Sequence, residues 1–130
     1  MAATPVHAGS ASSGIFSVAF RDAKHGIAVG GDYQKPRERT SNVTLTRDGG
    51  RTWTLARGPL PAGYMSAVSY LPGTSTLVAV GLAGTARSDD GGQSWRMVDT
   101  TAYNSVRFVG RRDGVAAGPG GRVARWSGPR

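Results

Sequence analysis

Apolar residues along this chain fall in runs of three to five, with β-branched or aromatic side chains interspersed and Gly or Pro at their borders. That pattern predicts strands joined by tight turns. The runs at 17–20, 26–30, 42–45 and 53–55 form one group, those at 67–70, 77–81, 84–87 and 95–98 a second, and those at 105–108, 114–118 and 121–124 a third. Eleven strands are therefore expected, in two groups of four and one of three.

Two octets punctuate the first two groups: Thr46-Arg47-Asp48-Gly49-Gly50-Arg51-Thr52-Trp53 and Ser88-Asp89-Asp90-Gly91-Gly92-Gln93-Ser94-Trp95. Thr46 and Ser88, which open them, stand 42 residues apart. This lies within the ~40–45 residue period of a four-stranded propeller blade. The strands follow the same repeat, with one offset. Gly30 and Gly81, which close the second strand of each group, are 51 residues apart, nine more than the octets, so the first group carries a nine-residue insertion within residues 31–41. Because this insertion is polar and contains Pro36, it reads as a loop, the kind of segment on which rigid scaffolds often carry binding.

The octet is a hairpin device. The carboxylate of Asp48 or Asp90 is placed to accept backbone N–H groups of its own turn. Gly50 and Gly92 take a positive φ without the steric cost of a Cβ. Trp53 and Trp95 then lay their rings on the hairpin and cover apolar surface. Thr46 and Ser88 supply a hydroxyl at the opening position.

On these residues the octet resembles the Asp box, or bacterial neuraminidase repeat, of sialidases, sortilin-type receptors and photosystem II assembly factors. Both copies match at Thr46, Asp48, Gly50 and Trp53, and at Ser88, Asp90, Gly92 and Trp95. Residues 14–22 and 25–33 are also similar to the carboxy-terminal part of bacterial relatives of the photosystem II stability and assembly factor. The resemblance covers residues 14–126 and implies an all-β fold: a partial β-propeller of about three antiparallel blades at 14–57, 63–99 and 103–126, the last incomplete. Residues 1–13 read as a lead-in and 127–130 as a tail. The resemblance further implies a non-catalytic scaffold that holds a protein client. Photosynthesis itself is not implied.

Composition agrees with short strands: Gly contributes 20 residues and Pro 7, while 38% of the chain is hydrophobic. The formal charge of +8 raises polyanion or nucleic-acid binding as an alternative function. The basic residues are scattered, however, and form neither a run of five nor a stripe interleaved with aromatics. There is no Cys, which removes disulfides, thiolate nucleophiles and Cys-bearing zinc sites. No run approaches the ~18 apolar residues of a membrane span. The first residues lack the apolar centre of a signal peptide, so bacterial cytoplasm and periplasm both stay open.

A sialidase-like glycoside hydrolase is the other alternative. Such enzymes need paired carboxylates, or a Tyr with a Glu partner. Glu38 is the only Glu, and Asp48, Asp89 and Asp90 belong to or adjoin turns. No catalytic residue is assigned. His7 and His25 are too isolated to suggest a metal site, and Gly118-Pro119-Gly120-Gly121 precedes a strand without the Lys of a phosphate loop, so no metal or cofactor is expected.

Alternating strand direction puts the box turns on one face and gathers the insertion, residues 56–63 and residues 99–102 on the other. That second face is the expected partner surface, with Tyr33, Arg37, Arg39 and Arg57 as neighbours and Tyr64 and Tyr103 close by. Arg and Tyr are the side-chain types enriched at interface hot spots. Closed propellers use roughly four to eight blades, so the expected partners also include the remaining blades of a longer propeller or further copies of this chain.

Overall fold

The computed structural model describes residues 13–32, 34, 42–110 and 113–126. Among these residues, eleven strands form three antiparallel sheets, each strand pairing with its neighbour in sequence. Blade 1 contains β1 (Ser13–Phe20), β2 (Gly26–Asp32), β3 (Val43–Thr46) and β4 (Thr54–Leu55). Blade 2 contains β5 (Met65–Tyr70), β6 (Leu77–Gly81), β7 (Gly84–Ser88) and β8 (Arg96–Asp99). Blade 3 contains β9 (Ser105–Phe108), β10 (Gly114–Gly118) and β11 (Arg122–Trp126), with one 3-10 turn at Pro119–Gly121. Among the described residues there is no α-helix.

The blades stack face to face, and the strand period of two decides which side chains meet. Along β6, Leu77 and Ala79 enter the core shared with blade 1, whereas Val78 and Val80 enter the core shared with blade 3. A strand covered on both faces needs a continuous apolar run, and Leu77-Val78-Ala79-Val80 is one. The first core joins Ile27, Val29, Val43 and Leu45 of blade 1 to Met65, Val68, Leu77, Ala79, Ala86 and Trp95 of blade 2. The second joins Leu71, Val78, Val80, Tyr103 and Phe108.

β1, β5 and β9 are the innermost strands and sit side by side. Ser17 Oγ accepts the Val68 N–H at 3.2 Å, and Ser69 Oγ accepts the Phe108 N–H at 3.2 Å, so a serine hydroxyl links each innermost strand to the next. β1 and β5 both start earlier than their alternating patterns suggest, because each opens with a bulge, between Ile15 and Ser17 and between Met65 and Ala67. A bulge adds a residue and breaks the period of two. At the end of β6, a Cβ on Gly81 would stand 2.0 Å from the Tyr64 carbonyl oxygen, so only glycine lets the connector enter β5 so closely.

Candidate functional site

The two box turns share one set of hydrogen bonds. In the first, Thr46 Oγ1 donates to Asp48 Oδ1 at 2.8 Å and accepts the Gly50 N–H at 2.9 Å. In the second, Ser88 Oγ donates to Asp90 Oδ1 at 2.8 Å and accepts the Gly92 N–H at 2.9 Å. Each carboxylate then receives both the backbone N–H and the hydroxyl of the residue before the tryptophan, Thr52 for Asp48 and Ser94 for Asp90. The indole N–H groups donate to Gly50 O at 3.0 Å and Gly92 O at 2.8 Å.

Thr52 and Ser94 were not singled out from the sequence. The signal was there, since both octets place a hydroxyl immediately before Trp. These donors hold the Asp48 carboxyl at about 2, the Thr52 hydroxyl and N–H contributing most. Burial alone would raise Asp90, but the Ser94 hydroxyl and N–H outweigh it and keep that carboxyl below its ordinary value. Both groups are therefore carboxylates committed to turn geometry.

Of the expected partner face, the described residues include Arg57, Tyr64 and Tyr103. Tyr33, Arg37 and Arg39 lie outside the described residues. The backbone at Arg57 is tied to the second box: its N–H donates to Gln93 Oε1 at 3.2 Å, and the N–H of the next residue, Gly58, donates to Gln93 O at 2.7 Å. The connector after β4 first hydrogen-bonds to the neighbouring box, ending with Pro59 O accepting the Trp95 N–H at 2.8 Å, and only then crosses to β5. Tyr64 is half-buried, edge-on to Phe16 with ring centroids 4.9 Å apart. Tyr103 is 8% exposed and belongs to the second core, so packing occupies its ring.

A different concavity gathers basic and aromatic groups. At the ends of the innermost strands, on the box side, a groove of about 600 Å³ runs past Val18, Phe20, Arg21, Val68, Ser69, Tyr70, Val106 and Arg107. Arg21 and Tyr70 also line an adjoining hollow of about 390 Å³ between blades 1 and 2, shared with His25, Arg47, Asp90 and Gln93. Arg107 makes no ion pair among the described residues, and Arg21 approaches only Asp22, at 3.8 Å. Burial raises the Tyr70 phenol above its ordinary value, so the hydroxyl stays protonated. The groove presents two guanidinium groups and a phenol along one apolar-floored channel, a set suited to a carboxylate-bearing chain.

The β1–β2 turn beside this groove is held by Asp22, which accepts the Lys24 and His25 N–H groups at 2.8 and 2.7 Å and lies 3.0 Å from His25 Nδ1. Among the described residues, no group of three or more His, Asp or Glu is arranged to hold a metal ion.

The same arrangement of blades occurs in two solved structures. One is described as YCF48 bound to D1 peptide; this chain matches it at 23% identity with a TM-score of 0.70, over 89% of its own length and 38% of the other chain. The fold is a partial β-propeller. The other, YCF48 from Cyanidioschyzon merolae, is 24% identical with a TM-score of 0.66, again over 89% of this chain and 34% of that one. This propeller segment thus spans between a third and two-fifths of the YCF48 chains it matches, and the likeness is one of fold. No protein-family model matches the chain. No curated protein matches it either.

Proposed function

We propose that this chain is a non-catalytic, protein-binding segment of a β-propeller, and that it takes an acidic peptide in the groove between Arg21, Tyr70 and Arg107. The observation that carries the reading is the pair of guanidinium groups at the mouth formed by the innermost strands, beside a protonated phenol and apolar side chains. Guanidinium forks suit carboxylates in bidentate geometry, and the apolar floor suits the aliphatic part of an extended peptide. The chain's formal charge of +8 favours the approach of an acidic partner.

Two further facts support the reading. One structure of the same fold is described as bound to a peptide. The box carboxylates, Asp48 and Asp90, are saturated by hydrogen bonds from their own turns and so are poorly disposed to act as an acid or a nucleophile. Binding through the groove makes Arg21, Tyr70 and Arg107 the contact residues, and the boxes the frame that positions them.

The test is fluorescence anisotropy with a labelled ten-residue peptide rich in Asp and Glu. Arg21→Ala combined with Arg107→Ala is expected to weaken binding at least tenfold, and higher salt to weaken the unsubstituted protein in the same direction. An equal affinity for the double variant, with its β-sheet spectrum intact, would overturn the proposal.

A further inference from the structure

Three concavities join end to end along the seam between blades 1 and 2. The groove at the innermost strands and the hollow beside it share Arg21 and Tyr70. That hollow shares Leu45, Arg47 and Gln93 with a third concavity, of about 560 Å³, which reaches Thr52, Thr54 and Arg57 around the outermost strand of blade 1. A single track therefore runs from the innermost strands to the rim, and Arg107, Arg21, Arg47 and Arg57 succeed one another along it.

The fold leaves the outer two of these cations free. Arg47 and Arg57 are exposed, and neither makes an ion pair among the described residues. Asp90, which also lines the hollow, has its carboxylate taken up by Ser88 and Ser94 of its own turn. Gln93 stands between the second and third concavities, and because its Oε1 accepts the Arg57 N–H, the amide N–H groups are the part left to donate. Blade 2 has the opposite arrangement at the equivalent places. The second octet position is Arg47 in the first box but Asp89 in the second, and 42 residues after Arg57 stands Asp99. Asp89 is bridged by Arg87 at 3.1 Å and Arg96 at 3.0 Å, so the cations there are spent within the blade. An acidic chain leaving the innermost strands meets free guanidinium groups at the blade 1 positions, and paired ones or carboxylates at those of blade 2.

Resting on the acidic-peptide reading of the groove, we propose that the bound chain runs outward along the seam between blades 1 and 2, and that Arg47 and Arg57, with the Gln93 amide, form a second anion-binding subsite. The ligand is then an extended peptide with two acidic clusters. Strand spacing sets the distance between them, since Arg21 follows β1 while Arg47 and Arg57 follow β3 and β4. With neighbouring strands ~4.8 Å apart and an extended chain rising ~3.4 Å per residue, the two or three strand gaps of roughly 10–14 Å are covered by about three to four residues.

The experiment is fluorescence anisotropy on the full chain with three labelled peptides of equal length: one acidic cluster followed by Gly and Ser, two clusters separated by four Gly or Ser residues, and the same two clusters run together. The spaced peptide is expected to bind about tenfold more tightly than the single-cluster one, because the second contact forms within an already bound ligand. Arg47→Ala combined with Arg57→Ala should remove that gain and leave the single-cluster affinity unchanged. Arg122→Ala combined with Arg125→Ala, the same change of charge on blade 3, should leave the gain intact. Should the Arg47 and Arg57 alanine variant lose its β-sheet spectrum, Arg47→Gln with Arg57→Gln makes the same comparison. A gain that survives loss of Arg47 and Arg57, or that the run-together peptide matches, would overturn the second subsite while leaving the groove in place. If Arg21→Ala with Arg107→Ala leaves the single-cluster peptide bound as before, the groove itself fails and the subsite falls with it.

Discussion

The Asn42 side-chain amide donates to the Gly63 carbonyl at 2.6 Å and to the Pro61 carbonyl at 2.9 Å, clasping the entry to blade 2's innermost strand from the start of β3. Asn42 is 0% exposed, so both carbonyls depend on it for a donor. Asn42→Ala leaves them orphaned in the interior, at about 1–3 kcal/mol for each buried group left without a partner. Urea denaturation is expected to show a loss of about 2–6 kcal/mol on that basis. Asn42→Asp should cost more, since it replaces the donor with a charged acceptor facing two carbonyl oxygens. A loss under about 0.5 kcal/mol, the range of ordinary surface changes, would remove the clasp from the account.

Neighbouring glycines in the second box separate backbone strain from packing. Gly91 and Gly92 adopt φ of 75° and 97°, so alanine at either position meets the left-handed penalty of about 1–2 kcal/mol. Their surroundings differ. A Cβ on Gly91 has nothing within 4 Å, whereas one on Gly92 would come within 2.9 Å of both Ile27 Cδ1 and Leu45 Cδ2. Gly92→Ala therefore adds the about 1–3 kcal/mol of an overpacked core, and its melting temperature should fall well below that of Gly91→Ala. Equal melting temperatures would show that the inter-blade core yields freely at this point.

The blades were legible in the sequence because turn chemistry and strand period agreed. Gly26, Leu77 and Gly114 begin their strands where the apolar runs begin. What the pattern missed lies where a period-two reading has no purchase. The bulges that open β1 and β5 break alternation, and the connector through Arg57 takes its course from hydrogen bonds to Gln93, a partner 36 residues away. Trp53 and Trp95 also look identical in the octets, yet Trp95 is 5% exposed in the joint between blades while Trp53 is only partly covered, edge-on to Phe20. Local sequence specifies the box; what the indole covers depends on the preceding blade. The groove at Arg21, Tyr70 and Arg107 was illegible for the same reason, because its residues come from three blades and meet only when the innermost strands align.

Acid should weaken the box turns before it affects the cores. Hydrogen bonds from Thr52 and Thr46 hold Asp48 at about 2 against an ordinary 3.8, and the His25 and Lys24 N–H groups hold Asp22 at about 2 in the same way. A carboxyl whose pKa is lower in the folded state binds its proton more readily once unfolded. Its stabilising contribution is therefore complete above the unfolded value and disappears as pH falls from about 4 to about 2. The melting temperature should thus be level from neutral pH to about 5 and drop through that window. Asp48→Asn is expected to melt lower than the unsubstituted chain at pH 5 and to lose less between pH 5 and pH 2, so that the two curves converge in acid. Parallel curves would mean that the Asp48 charge contributes nothing beyond the hydrogen bonds an amide can also accept.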